Sequence, residues 1–221
     1  MITNRVAGLI VSISQDTKSS QHFQRFIEKG IPLVFFDRVI QGFKAGYVIS
    51  DDEQGAYLGA QYLIDKGYKN IAYFSGPGNL TICKNRLHGF KRALKKNNIP
   101  LDSNLIFHGS LHEENGYQTI EKLIAGDNIP DAIFAVNDPV AMGAYKKIKE
   151  AGLKIPQDIA VLGFSNNEVS SYLDPALSTI DQFPAEMGEK AAQILFTRMQ
   201  EENPDEEIQK MRTELIERQT T

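Results

Sequence analysis

The sequence predicts an α/β protein built on parallel sheets flanked by helices. Two observations lead to this prediction. Short runs of β-branched and aromatic residues alternate with longer amphipathic stretches over almost the whole of the 221 residues, which is typical of consecutive strand-helix-strand units. Several of the short runs are almost continuously apolar, as strands covered by helices on both faces require.

The predicted strands are the short apolar runs. They lie at residues 8–12, 32–37, 70–75, 104–108, 131–136 and 159–164. A shorter strand is predicted at 177–181 and a last one within 212–218. The acidic run 201–207, which contains Pro204, is interpreted as a solvated loop.

The predicted helices have recognisable ends. Ser50 and Glu53 have the spacing of a capping box, and Gly67 closes the helix that follows them. Pro139 suits the first position of another helix, which ends at Gly152. Further helices are predicted around residues 87–94 and 117–124, and a long one starts at 184.

Polar residues follow five of the predicted strands. In open parallel sheets ligands bind beyond the carboxyl ends of the strands, where loop amides and helix N-termini converge. Carboxylate, guanidinium, amide and hydroxyl groups suit a polyhydroxylated solute such as a sugar. The strand-end residues are Asp37, Arg38, Ser75, Gly76, Pro77, Gly78, His108, Gly109, Asn137, Asp138, Ser165, Asn166 and Asn167.

Several of these positions also have an ordinary structural interpretation. Asp37 and Asn137 are equally compatible with helix or turn caps, and Asp138 is interpreted as the cap of its own helix. Arg86, near the start of a predicted helix, is either a surface charge or a ligand contact. The basic residues 91–96 are interpreted as a solvated helix face.

Composition and motifs exclude several classes of function. The 42% hydrophobic and 24% charged residues are typical of a folded globular protein, and no apolar run is long enough to span a membrane. A formal charge of −4 gives no global basic field for nucleic acid. Phosphate-loop, dinucleotide-binding and hydrolase motifs are missing, and His108, His112 and Cys83 lack the partners of a metal or nucleophile site. The prediction is therefore a binding protein with no cofactor or metal, not an enzyme.

Three segments carry a more specific signal when their order and spacing are considered together. They are AVNDPVAMGA at 135–144, IPQDIAVLGF at 155–164 and LSTIDQ at 177–182. With weaker matches from residue 6 onward, they resemble the effector-binding domain of lac/gal repressor-type (LacI/GalR family) transcription regulators, itself similar to periplasmic ribose-binding proteins. The resemblance covers nearly the whole chain.

This resemblance implies a two-lobed fold like that of the type I periplasmic binding proteins, with the first lobe truncated at its N-terminus. The expected lobes are 1–75 with 182–203, and 76–181 with 204–221, with chain crossings near 75–76, 181–182 and 203–204. A helix-turn-helix and a first strand, helix and strand are expected before residue 6 in the family and are absent from this sequence. Operator DNA would be bound only through that absent segment.

The resemblance also implies ligand contacts in the cleft between the lobes. They fall on Asp37 and Arg38 from the first lobe, Arg86 and Asn137 from the second, and Gln182 at the hinge. Two departures bear on the ligand. Ser165 and Asn166 stand where the family often has an acidic residue, and Leu111 stands where relatives often have an aromatic ring.

The resulting hypothesis is the sensing domain of a homodimeric, cytoplasmic regulator that binds a sugar or sugar derivative and has no membrane contact. The resemblance places the dimer contacts on helices 55–66 and 140–151, which are otherwise plain sheet-covering helices. The alternative is an exported periplasmic sugar-binding protein of a transport system, and an α/β enzyme is a third class. The sequence leaves the ligand, the operator and the direction of regulation open.

Overall fold

The computed structural model describes residues 6–126, 129–201 and 204–221. It divides into two compact units. Unit 1 comprises the chain up to Asp51 together with Phe183–Arg212, and unit 2 comprises Asp52–Gln182 together with Thr213–Thr221. No helix of the described ranges is both long enough and apolar enough to cross a lipid bilayer.

Unit 1 contains a parallel four-stranded sheet, in the order β1-β2-β3-β9. Its elements are β1 (Leu9–Val11), α1 (Gln21–Ile27), β2 (Leu33–Phe36), β3 (Gly46–Ser50), α6 (Pro184–Arg198) and β9 (Glu207–Met211). Val34 and Val48 of the sheet form an apolar cluster with Met187, Ala191 and Ile194 of α6. The 3.6-residue spacing of the apolar α6 residues therefore selects the face that covers the sheet.

Unit 2 contains a parallel sheet in the order β5-β4-β6-β7 and a two-stranded antiparallel sheet, β10-β8. The first sheet comprises β4 (Ile71–Ser75), β5 (Ile106–His108), β6 (Ala132–Ala135) and β7 (Ala160–Leu162). The second comprises β8 (Thr179–Asp181) and β10 (Glu214–Ile216). The helices are α2 (Asp52–Asp65), α3 (Thr81–Lys96), α4 (Glu113–Ala125) and α5 (Asp138–Glu150).

The helices of unit 2 pack in two pairs, α2 with α3 and α4 with α5. The core beside the first pair joins Ala60 and Phe90 to Tyr73, Phe134 and Leu162 of the sheet. The second pair approaches so closely that a Cβ on Gly143 would lie 1.8 Å from the Glu113 carbonyl oxygen. Only glycine permits this approach of two helix backbones.

The predicted fold class, an α/β fold with parallel sheets flanked by helices, is confirmed. Two strands had no counterpart among the predictions. β3 was not predicted, and β9 starts at Glu207, inside the run interpreted as a loop. The capping-box prediction for Ser50 is wrong, because Ser50 ends β3 and its buried hydroxyl has no hydrogen-bond partner among the described residues.

The observed division of the chain differs from the predicted lobe boundaries. Residues 52–75 belong to unit 2, because β4 hydrogen-bonds to β5 and β6 and α2 packs on α3. β9 pairs with β3 and β10 with β8, so the last division lies at Arg212 and Thr213. The division at Gln182 and Phe183 lies within a residue of the predicted one. The crossing predicted at 203–204 involves Asn203, which lies outside the described residues.

Candidate functional site

In unit 1 the structure brings together two of the predicted residues at the carboxyl end of β2. Asp37 has a φ of +57°, a left-handed conformation that Asp tolerates better than most residues. The Arg38 Nε lies 3.4 Å from Asp37 Oδ2 and donates to Ser12 Oγ at 3.3 Å. Ser12 also lies 3.5 Å from the Asp37 carboxylate. All three side chains are half-buried, so a carboxylate, a guanidinium and a hydroxyl share one partly exposed strand end.

In unit 2 the central group is the Arg86 guanidinium, which is 2% exposed. The interpretation of Arg86 as a surface charge is therefore wrong. Its Nε donates to Asp52 Oδ1 at 2.7 Å, and its Nη2 donates to Gln182 Oε1 at 3.1 Å. Its Nη1 donates to the Val136 carbonyl at 2.7 Å, and its carbon lies 3.7 Å from the centre of the Phe164 ring.

Two of the predicted residues, Arg86 and Gln182, are thus hydrogen-bonded to each other across 96 positions of sequence. Asp52 is a third member of this buried cluster, and it was not singled out from the sequence. Its side chain is 4% exposed, and a buried carboxylate requires a positive partner.

Asn137 has the structural role that the helix-cap interpretation gave it. Its Oδ1 accepts from the Val140 N–H at 3.0 Å, which caps α5. Its Nδ2 donates to the Leu111 carbonyl at 3.0 Å, which fixes the loop after β5. Leu111 itself is 9% exposed, and its methyl groups occupy the space beside Gly76. The structure therefore joins these two predicted residues through one amide.

Ser165 and Asn166 form a tight turn after β7, with φ values of +120° and +53°. The Asn166 side chain uses both ends of its amide. Its Nδ2 donates to Asp181 Oδ2 at 2.9 Å, and its Oδ1 accepts from Arg218 Nη2 at 2.7 Å. These hydrogen bonds restrain the Asn166 side chain, although the turn is only half-buried.

The interpretation of Asp138 as a helix cap is wrong, because the preceding asparagine caps α5. Asp138 is fully buried and accepts hydrogen bonds from the Ser170 and Thr179 hydroxyls at 2.7 and 2.6 Å. Burial raises the pKa of the Asp138 carboxyl above its ordinary value, and the hydrogen bonds oppose that shift. Asp138 is therefore an internal acceptor that ties α5 to the segments around it.

The polar strand ends of both units offer neutral and charged hydrogen-bonding groups suited to hydroxyls. Among the described residues, no three His, Cys, Asp or Glu side chains are grouped as metal ligands. The Cys83 thiol is buried, and in unit 2 the buried carboxylates are engaged with arginine or hydroxyl donors. Within each unit, these strand-end groups are hydrogen-bond donors and acceptors of the kind that can orient a polar solute.

Comparison with known proteins identifies the family of the chain. The family described as "Periplasmic binding protein-like domain" matches residues 60–221. The chain belongs to the periplasmic binding protein-like domain family. The HTH-type transcriptional repressor PurR of Vibrio vulnificus (strain CMCP6) is 34% identical over 218 residues, which cover 98% of this chain and 64% of that repressor. The chain thus spans about 64% of the length of this curated relative.

Solved structures give the same result. A LacI family transcriptional regulator from Enterococcus faecium with bound ribose superposes with a TM-score of 0.89 at 28% identity, covering 100% of this chain and 81% of that one. A transcriptional regulator CelR-cellobiose complex has a TM-score of 0.88 at 25% identity and covers 98% and 66%. The resemblance to lac/gal repressor-type regulators is confirmed.

Proposed function

We propose that this chain is the effector-sensing part of a dimeric bacterial transcription regulator. It binds a small sugar-like ligand, and binding changes the DNA affinity of a helix-turn-helix carried elsewhere in the regulator. The observation that carries the proposal is the 34% identity to a helix-turn-helix repressor over 98% of the chain. The relatives are named as repressors and regulators, which favours this role over an enzyme.

The ligand class is supported by two independent observations. Two neighbours hold ribose and cellobiose, and the strand ends of this chain present side chains that bind vicinal hydroxyls. The proposed contacts are the predicted set: Asp37, Arg38, Arg86, Leu111, Asn137, Ser165, Asn166 and Gln182. Among them, Arg86 donates a hydrogen bond to Gln182. These two residues are therefore proposed to orient each other as well as to contact the ligand.

The regulator is proposed to act as a cytoplasmic homodimer, with contacts on α2 and α5. Ligand binding shifts the dimer between two states only to the extent that it binds one state more tightly. A change in dimer geometry then alters the spacing of the two DNA-reading heads.

Isothermal titration of the chain with ribose, cellobiose and a nucleobase tests the ligand class. The nucleobase is a planar ligand without vicinal hydroxyls. Binding of a sugar is the expected result, and saturation by the nucleobase alone would overturn the sugar assignment. No binding by any of the three at millimolar concentration would contradict the proposal for this ligand class.

The site assignment is tested by Asp37→Ala and Asn137→Asp. The second variant keeps an oxygen that can cap α5 and replaces the amide donor by an anionic oxygen, a change that the control Asn104→Asp reproduces elsewhere. Each is expected to weaken binding at least tenfold, which corresponds to about 1.4 kcal/mol. The matched controls Asp16→Ala and Asn104→Asp change exposed residues and should bind normally. Unchanged affinity in both test variants would refute the site.

Arg86→Ala is not a clean test of binding, because it leaves the Asp52 carboxylate buried without its cation. The oligomeric state is tested separately by sedimentation velocity over a dilution series of a regulator that includes its DNA-binding segment. A dimer at micromolar concentration is expected. A strict monomer that leaves operator DNA unbound would favour the alternative, an exported receptor of a transport system.

A further inference from the structure

The turn formed by Ser165 and Asn166 places two consecutive residues other than glycine at positive φ. Such conformations are sparsely populated and persist only when the surrounding structure holds them. In this turn, hydrogen bonds from the backbone N–H groups supply the restraint.

Three consecutive amide groups of the turn have acceptors outside it. The N–H of Ser165 donates to the Ile180 carbonyl at 2.7 Å, and that of Asn166 donates to Thr179 Oγ1 at 3.3 Å. The N–H of Asn167 donates to Asp138 Oδ2 at 2.6 Å. Two of the three acceptors are side-chain oxygens, so the turn depends on particular residues and not only on strand pairing.

The two side-chain acceptors are themselves connected. The Thr179 hydroxyl donates its proton to Asp138 Oδ1 at 2.6 Å. Because an ionised carboxylate can only accept, this bond fixes the direction of the threonine O–H and turns the threonine lone pairs toward the Asn166 N–H. Asp138 therefore holds Asn167 directly and Asn166 through one hydroxyl.

The surroundings of Asp138 fix the carboxylate in turn. It is fully buried, and Ser170 Oγ donates to Oδ2 at 2.7 Å. A Cβ on Gly163 would lie 2.1 Å from Oδ1, so the segment between β7 and the turn has room for the carboxylate only because this residue is glycine. The carboxylate is therefore enclosed and hydrogen-bonded on both oxygens.

We propose that Asp138 is a positioning residue, which holds the Ser165–Asn166 turn in its left-handed conformation through Thr179 and the Asn167 amide. Its effect on ligand affinity rests on the proposed function, since that function assigns Ser165 and Asn166 to the ligand. The effect on the turn itself does not depend on any ligand.

The experiment compares two substitutions that each remove one hydroxyl donor from the same carboxylate. Thr179→Val breaks the connection to Asn166, whereas Ser170→Ala leaves it intact. Both hydroxyls are fully buried, so the two variants match in burial and in bond length. Thr179→Ser restores the hydroxyl and serves as the rescue.

Amide hydrogen exchange is measured first, without ligand. Relative to other amides of unit 2, Thr179→Val should accelerate exchange at Asn166 about fivefold or more, while Ser170→Ala and Thr179→Ser should not. Equal acceleration by Thr179→Val and Ser170→Ala would overturn the proposal. If Thr179→Val does not fold, amide exchange is measured in the wild-type chain alone. Fast, unprotected exchange at Asn166 and Asn167 would then refute the proposed restraint of the turn.

Titration with the sugar that the wild-type chain binds follows. Thr179→Val should weaken binding about fivefold, and Thr179→Ser should restore it. A faster Asn166 amide with unchanged affinity would refute the effect on affinity and leave the restraint of the turn established. Failure of the wild-type chain to bind any sugar would count against the proposed function alone, because the exchange result stands without ligand.

Discussion

Replacing Arg86 with methionine should remove a large part of the stability of unit 2. The guanidinium and the Asp52 carboxylate are only 2% and 4% exposed, so the variant leaves an uncompensated charge inside the protein. Breaking a buried pair in this way costs about 3–5 kcal/mol. A whole domain is stable by roughly 5–15 kcal/mol, so the variant should lie close to its unfolding threshold.

The double variant Asp52→Leu with Arg86→Met should recover part of this loss, because it removes both charges together. The acceptors at Val136 and Gln182 still lose their donor, and each buried unsatisfied acceptor costs about 1–3 kcal/mol. Two such acceptors together cost about 2–6 kcal/mol, and replacing a buried ion pair by apolar side chains regains about 1–4 kcal/mol. The double variant should therefore remain about 1–2 kcal/mol less stable than the wild type. Urea denaturation followed by circular dichroism measures the free energy of unfolding of Arg86→Met, of Asp52→Leu and of the double variant.

Arg92→Met is the matched control. Arg92 pairs with Glu53 on the surface, where its side chain is 40% exposed, and an exposed pair contributes about 0.2–1 kcal/mol. The reasoning fails if Arg86→Met costs no more than this control. It also fails if the losses from Asp52→Leu and Arg86→Met simply add in the double variant, since an ion pair requires coupling between them.

Three further predictions concern single groups. Gly163→Ala should destabilise the protein by about 1–3 kcal/mol in urea, because its Cβ would lie 2.1 Å from Asp138 Oδ1. Tyr73→Phe should stabilise it by about 1 kcal/mol, because the fully buried Tyr73 hydroxyl has no hydrogen-bond partner among the described residues. A hydrogen bond from His88 holds the pKa of Glu53 below its ordinary 4.5. Glu53→Gln should therefore cost about 0.2–1 kcal/mol at pH 7, a difference that is present above pH 4.5 and is lost as the pH falls through the lowered pKa.

Each of these predictions has a control within the chain. Gly188, in the middle of α6, has open space around it, so Gly188→Ala should stabilise the helix by about 1 kcal/mol. The hydroxyl of Tyr62 is hydrogen-bonded to the Thr221 hydroxyl at 2.8 Å. Tyr62→Phe should therefore destabilise the protein, whereas Tyr73→Phe should stabilise it. A Glu53→Gln difference that persists after Glu53 has become protonated in the folded chain would show that charge is not its cause.

The parts of the fold that could be predicted from sequence are those with a strong local pattern. β2, β4, β6 and β7 lie in almost continuous apolar runs, and α5 has a proline at its start and a glycine after its end. β9 could not be predicted in this way, because two of the five residues of EIQKM are charged and only two of the five are partly buried. It is an edge strand, and only its pairing with β3, more than 150 positions away, defines it.

The site shows the same limit. Asn137 could be found because it follows a strand, where ligands and caps both occur, whereas Gln182 was indicated only by the family resemblance. The role of Asp138 could not, because its donors lie 29, 32 and 41 positions along the chain. The pairing of Asp52 with Arg86 likewise depends on how α2 and α3 meet. Local sequence indicates that a residue is polar and near a strand end, and tertiary packing decides what it contacts.

The composition of unit 2 from two separate stretches of chain has a consequence for its synthesis. β8 is paired by β10, and the Thr220 hydroxyl bonds to the Val161 carbonyl of β7. During translation, at roughly 5–20 residues per second, all of unit 1 has been made before residues 213–221 become available. A ribosome-bound chain therefore carries β8 with an open edge for several seconds, until β10 has been synthesised.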